Sequence, residues 1–325
     1  MEEIIVYKTI ELTDGLWQTI VDGYNICFPA HSLSVKQLKK QYVTHPLGYC
    51  YHAFYYKEGK FAGYNAVIPA LYTINGDDVL MGQNVDIYVL PEFRKDIFIF
   101  KKLYTRLQEV CLQDGFIAFL GVPNPNAYQY SVKLLKCKEI FQLDYWILPI
   151  KIGNIIGRMK WTNCFSQLYA CCALGLNAIL SFVLRLKENL RPVRIKTTDE
   201  YFKARLSAEK YTNKIIHGNC FSYTITEDEG IRCAYIMYAG DGERRTYRAL
   251  YKCASYIYHN EKVDMIMFNG TMNMNQMLLV KVPAKFQPRK LPFTVNFLSD
   301  EIEKEYGILL NPKDWDFTLI NLDVR

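Results

Sequence analysis

The chain reads as an α+β protein of two domains, each a mixed sheet flanked by helices, with a helical linker between them. Three observations predict this. The 325 residues are half apolar and 22% charged, which suits about two globular domains rather than a disordered chain. Residues 1–151 run strand, two helices, three antiparallel strands, helix, parallel strand, helix, strand. That syntax returns faintly after residue 195, as an internal duplication would leave it. The expected boundaries are therefore an N-terminal domain at 1–151, a linker at 152–195 and a C-terminal domain at 196–325.

Ile4 to Leu12 has the composition of a strand, Asp14 to Cys27 of a helix, and Ser34 caps a second helix running to Tyr42. Tyr51 to Tyr56 and Phe61 to Ile74 flank the turn Lys57-Glu58-Gly59-Lys60. A second turn, Asn75-Gly76-Asp77-Asp78, leads into Val79 to Leu90, so the three runs predict antiparallel hairpins. Phe100, Leu103, Leu107 and Val110 fall at helical spacing, and Gly115 ends that helix. Phe116 to Val122 reads as a buried strand, Asn124-Pro125-Asn126 opens a short helix to Leu135, and Ile140 to Ile150 closes the domain as a strand.

Trp161 to Leu184 carries no charge and is long enough to span a bilayer. Ser166, Ala170, Ala173, Asn177, Ser181 and Arg185 recur every three or four residues, so one face is small and polar. This predicts a linker helix packed on the domains. The alternative is peripheral membrane contact through residues 161–184, helped by Arg158, Lys160, Arg185, Lys187, Arg191 and Arg194. Beyond the linker, Thr198 to Tyr211, Glu243 to Tyr258 and Asn273 to Val280 read as helices. Cys220 to Thr226, Ile231 to Ala239 and Val263 to Phe268 read as strands.

The bulk composition excludes several classes. A net charge of +6 suits an acidic small ligand or an anionic surface but is too mild for nucleic acid. The ten cysteines form no C-x-x-C pair and the five histidines no metal spacing, so no metal is expected. The first residues lack a secretory pattern, and a cytoplasmic location is expected. Neither a Walker loop nor G-x-G-x-x-G occurs.

The most informative stretch is Asn84-Val85-Asp86-Ile87-Tyr88-Val89-Leu90-Pro91-Glu92-Phe93-Arg94, followed at once by a helix. A strand that ends at a proline and an arginine before a helix N-terminus can present N–H groups and positive charge to a phosphate. This wording resembles the central strand, Pro-x-x-Arg turn and cofactor helix of the GNAT acyl-CoA N-acyltransferases. Phe119-Leu120-Gly121-Val122-Pro123-Asn124 resembles the family's next segment. The doubled layout is similar to tandem and Fem-type transferases, as is the ending Asp314-Trp315-Asp316-Phe317.

The resemblance implies two GNAT-like domains and transfer of an acyl group from acetyl-CoA, or another acyl-CoA, to a small-molecule amine such as an amino sugar or amino acid. It places the pantetheine arm on the backbone of Tyr88, Val89 and Leu90, with Asn124 bonding the arm as well. The pyrophosphate falls on Arg94, Lys95, Asp96, Ile97, Phe98, Ile99, Phe100 and Lys101. In that loop the family's glycines are missing, and Asp96 adds a negative charge that Lys95 and Lys101 offset in part. Asp86 is the candidate base and Tyr128 or Tyr130 the candidate acid toward the thiolate. Simple alternation puts Asn84, Asp86 and Tyr88 on one strand face and Val85, Ile87 and Val89 on the other. Two alternatives accompany this reading: an inactive scaffold that binds a partner or membrane surface, and a Fem-like aminoacyl transferase using charged tRNA.

Overall fold

A computed structural model describes residues 1–43, 45–156, 159–183, 191–207, 209–242, 244–272, 274 and 276–321. The expected helix starts at Glu243 and Asn273, the Leu184 end of the apolar segment, and its flanking Arg158, Arg185 and Lys187 lie outside the described residues. The chain divides into two compact units, Met1–Phe141 with Leu291–Asp314, and Gln142–Lys290 with Trp315–Arg325.

The first unit opens with strand β1 (Glu2–Lys8), helices α1 (Asp14–Cys27) and α2 (Val35–Val43), then β2 (Tyr51–Lys57), β3 (Lys60–Ile74) and β4 (Asp77–Val89). Ser34 caps α2 reciprocally with Gln37: its Oγ accepts from Gln37 N at 3.3 Å, and Gln37 Oε1 accepts from Ser34 N at 2.8 Å. The hairpins turn at Glu58-Gly59 and Asn75-Gly76, where all four residues have positive φ. That is the geometry whose twist matches paired strands. Next come α3 (Phe98–Gln113), β5 (Phe116–Gly121), α4 (Pro125–Gln129) continuing into a π-turn at Tyr130–Leu134, and β6 (Lys138–Gln142).

The second unit takes β7 (Tyr145–Pro149), α5 (Ile152–Ile156), α6 (Asn163–Val183), β8 (Val193–Ile195), α7 (Asp199–Arg205), β9 (Thr212–Ile216), β10 (Asn219–Asp228), β11 (Ile231–Gly240), α8 (Tyr247–Asn260), β12 (Met265–Asn269) and β13 (Val280–Lys281). The chain then supplies β14 (Pro292–Phe297) and α9 (Asp300–Glu305) to the first unit and β15 (Trp315–Asp316) to the second.

The sheet of the first unit runs β1-β2-β3-β4-β5-β14-β6, and that of the second β13-β7-β12-β11-β10-β9. Four expectations are corrected here. The single strand Ile140 to Ile150 is two strands in two sheets, because β7 pairs with β12. Residues 291–314, expected in the C-terminal domain, belong to the first unit, because β14 pairs with β5. The expected linker 152–195 is part of the second unit, where Ala170, Ala173 and Leu174 of α6 share a core with α8. The helix expected over 273–280 ends instead in strand β13.

In the first unit α1 and α2 cover one face of the sheet through Trp17, Ile20, Leu38 and Tyr42. Helix α3 covers the other through Ile99, Leu103, Leu107 and Cys111. The first face encloses His52, whose Nε2 meets Thr9 Oγ1 at 3.0 Å and Nδ1 meets Tyr64 OH at 2.6 Å. Trp17 and Tyr42 pack edge-on against its ring. Burial disfavours the imidazolium and draws its pKa from 6.5 down to about 3.

The unfolded chain therefore binds this proton between those values while the native protein does not, and stability falls as pH drops through that window. Urea unfolding of the wild type should lose up to ~1.4 kcal/mol per pH unit below 6.5 from this residue. The His52→Gln variant should show a flatter pH dependence there, and an equal slope would show that His52 does not titrate on unfolding.

Candidate functional site

The centre of the first unit is the junction of β4 and β5. These strands pair in parallel from Leu80–Phe116 to Gln83–Leu120, and there the ladder stops. The cause lies in β4. Asp86 has φ 53°, in the left-handed region, and the β3–β4 register shifts between Tyr64 and Ala66. One extra residue in β4 makes a β-bulge, which bends the strand and increases its twist. Asp tolerates this conformation better than most non-glycine residues.

The bulge corrects the expected alternation. Tyr88 and Val85 face the α1–α2 core together, and Asn84 and Ile87 line the opposite side. A one-residue slip exchanges the faces of every residue on one side of it. The Asp86 carboxylate accepts hydrogen bonds from Tyr42 OH and from Gln41 Nε2, both on α2. It is a half-buried group tied to a helix.

Beyond the last rung the two strands enclose a groove lined by Asn84 and Ile87 of β4, Phe100 and Tyr104 of α3, and Phe119 to Pro123. Ala127, Ser131 and Leu135 close one wall, with Cys137 and Thr294 of β14. A π-turn stands at that wall, a distortion common at functional sites. The wall is chiefly apolar. Tyr104 OH lies 3.7 Å from Cys137 Sγ, and burial raises both groups above their ordinary pKa values. Asn296 holds the same sulfur at 3.5 Å and the Leu135 carbonyl at 2.6 Å. Cys137 is thus a protonated, packed thiol, unsuited to nucleophilic attack at neutral pH.

Of the backbone residues implied for a pantetheine arm, Leu90 donates its N–H to the Ala62 carbonyl at 2.9 Å. It is directed at β3. Neighbouring N–H groups alternate along an antiparallel strand, so that of Val89 faces the groove side. The Val89 carbonyl accepts from Arg94 Nε at 2.9 Å. Tyr88 is buried, with its hydroxyl on the Ile20 carbonyl at 2.7 Å.

The turn into α3 is built without glycine. Pro91–Phe93 forms a 3-10 turn, Arg94 continues it, and none of residues 91–101 has positive φ. Asp96 occupies the helix start: its Oδ1 accepts from Phe98 N at 3.1 Å, and its Oδ2 meets Lys57 Nζ at 3.3 Å. A carboxylate thus already satisfies a donor that an anion would use. Ile97 and Phe98 are exposed beside it, while Ile99 is fully buried. The residues present therefore suit an apolar or amide-bearing arm in the groove and fit a diphosphate at this terminus poorly. Lys95 and Lys101 are exposed.

Tyr128 donates its hydroxyl to Glu139 on β6, and this bond raises its pKa. Tyr130 is exposed and packs on Phe100, whose ring lies 5.6 Å away. Neither lines the groove, although Tyr130 stands at its rim. Asn124 is the N-cap of α4, accepting from Ala127 N at 2.9 Å. Tyr104 was missed in the sequence. Phe100, Tyr104, Leu107 and Cys111 recur at helical spacing and could have revealed it. Thr294 has no such signal.

No known family's sequence profile matches this chain, and no curated protein sequence matches it. Solved structures do match. The chain is similar to a GCN5-related N-acetyltransferase from Anabaena variabilis with TM-score 0.55 and 12% identity, covering 91% of this chain and 73% of that one. A GCN5-related N-acetyltransferase from Kribbella flavida gives 0.57 and 12%, over 91% and 71%. Eis1 from Mycobacterium abscessus gives 0.54 and 12%, over 96% and 76%. The fold is therefore that of the GNAT N-acyltransferases.

The bulge supplies a stability test. Asp86→Ala loses the bonds from α2 and keeps a strained left-handed backbone, whereas Asp86→Gly loses the same bonds and relieves the strain. Chemical denaturation should find Asp86→Ala less stable than Asp86→Gly by ~1 kcal/mol. The reverse order would place the φ of Asp86 outside the left-handed region.

Proposed function

We propose that this chain, with its GNAT fold, is an N-acyltransferase that takes an acyl thioester into the groove between β4 and β5 and passes the acyl group to a small-molecule amine. The observation that carries the reading is the end of the β4–β5 ladder at Gln83–Leu120, with the chiefly apolar groove beyond it. A strand edge without a partner can bond the amides of a pantetheine arm as another strand would. The Val89 N–H, directed at the groove side, can bond the thioester carbonyl and stabilise the oxyanion as the amine attacks.

In this reading Asp86 accepts the amine proton as the C–N bond forms and the C–S bond breaks. Tyr42 OH and Gln41 hold its carboxylate. Tyr130 at the rim protonates the departing thiolate and regains its proton from solvent. Tyr128 drops out of this role because its hydroxyl is committed to Glu139. The acyl donor is recognised chiefly by its arm, since Asp96 stands where the diphosphate of an acyl-CoA would meet α3. Acyl-CoA remains the natural source of such an arm, with Arg94 and Lys95 outside the groove as its cations.

A second reading is a non-catalytic scaffold. It is favoured by Arg94 turned back on the Val89 carbonyl, Asp96 capping α3 and Tyr128 bonded to β6.

Calorimetric titration separates the two. Acetyl-CoA and S-acetylpantetheine should both bind, with affinities within roughly tenfold of each other, because a charge–dipole contact at a helix end is worth only ~1 kcal/mol. Asp96→Ser keeps a cap and removes the charge, so it should tighten acetyl-CoA about two- to fivefold and leave S-acetylpantetheine unchanged. Arg94→Glu with Lys95→Glu should weaken acetyl-CoA alone. Binding of neither donor at millimolar concentration would reject the transferase in favour of the scaffold.

A further inference from the structure

Helix α6 is amphipathic in an inverted sense. Its small and polar stripe is the buried one: Ser166, Ala170, Ala173, Asn177 and Ser181 all face inward. Ser166 Oγ donates to the Ile150 carbonyl at 2.8 Å, and Asn177 accepts from Tyr247 OH of α8 while donating to the Ala173 carbonyl at 2.7 Å. The large apolar side chains point the other way. Trp161 is 63% exposed, Phe165 62%, Leu168 63%, Leu176 52%, Ile179 65% and Val183 67%.

These positions follow one another at steps of three, four or eight residues, so they form one stripe about 30 Å long at a rise of 1.5 Å per residue. The exposed Cys172 falls within it. No residue from Trp161 to Val183 is charged. A continuous exposed apolar stripe of this length marks an interaction surface.

The charge pattern names the occupant. Between Asp144 and Glu188 the sequence has no acidic residue, while Lys151, Arg158, Lys160, Arg185 and Lys187 all lie within it. Exposed Lys160 directly precedes exposed Trp161 at the start of the stripe. An aromatic beside a cation at the edge of an apolar face suits the boundary between lipid headgroups and acyl chains. The segment Lys160–Ser181 is long and apolar enough to cross a membrane. Its inner face, however, is packed in the unit's core and hydrogen-bonded at Ser166 to Ile150 and at Asn177 to Tyr247 of α8, which leaves it lying on a surface rather than passing through one.

We infer that α6 is a membrane-docking helix that seats the outward stripe of Trp161, Phe165, Leu168, Leu176, Ile179 and Val183 in an anionic lipid surface. The face does not depend on the acyl-transfer reading, and an inactive chain would retain it.

Flotation of the full chain with phosphatidylcholine–phosphatidylglycerol vesicles tests this. The wild type should float, and the Leu168→Glu/Ile179→Glu variant should bind at least ~10-fold more weakly with an unchanged thermal transition, since both side chains are exposed. Vesicles should also slow alkylation of Cys172. Failure to float, or equal flotation of the variant, would overturn the proposal. Equal binding to phosphatidylcholine alone would overturn the anionic assignment. A wild-type dimer that the variant turns into monomer, without flotation, would assign the face to a second copy of the chain instead.

Discussion

The left-handed backbone of Asp86 is the constraint on which the candidate site depends. A strand that continued with unbroken alternation would keep its ladder with β5 beyond Gln83, and no groove would open. The extra residue bends β4, returns Val85 and Tyr88 to the α1–α2 core, and turns Asn84 and Ile87 toward α3. Tyr42 and Gln41 hold the carboxylate at the bend. A group that sequence logic offers as a base is thus also a structural tie.

The helix that follows shows a different economy. A turn lacking glycine cannot bring several amides close to one anion, and this one does not adopt positive φ to do so. It reaches a stable start to α3 through the carboxylate of Asp96, paired with Lys57. In the proposed reading, donor recognition moves accordingly from the helix end to the groove, which Phe100, Tyr104 and Phe119 line.

Much of the fold was legible in the sequence. Helix α1 has the expected bounds, the hairpin turns fall at Glu58-Gly59 and Asn75-Gly76, and the strand–Pro–Arg–helix wording sits at the centre of the sheet. The bulge was not legible, because Asn84 to Leu90 alternates smoothly and an αL aspartate leaves no mark in such a run. The strand β14 was hidden for another reason. Pairing between β5 and a segment far along the chain depends on long-range closure, which local pattern does not encode. The α6 stripe was visible from its spacing, yet its meaning is inverted, since the small residues pack inward and the large ones outward. Asp96 reads in the sequence as a charge opposed to a ligand, and its position two residues before the helix also lets its carboxylate accept the N–H of Phe98, the first helical residue.

Amide hydrogen exchange along β4, with and without S-acetylpantetheine, tests the central claim most directly. If the bulge opens a strand edge for the donor's arm, saturating ligand should slow exchange at Ile87 to Val89 and from Gly121 to Asn124. Little should change across the part of β4 already paired with β5, from Leu80 to Gln83. Unchanged exchange at both opened segments under saturating ligand, or protection confined to other elements, would contradict the groove as the donor site.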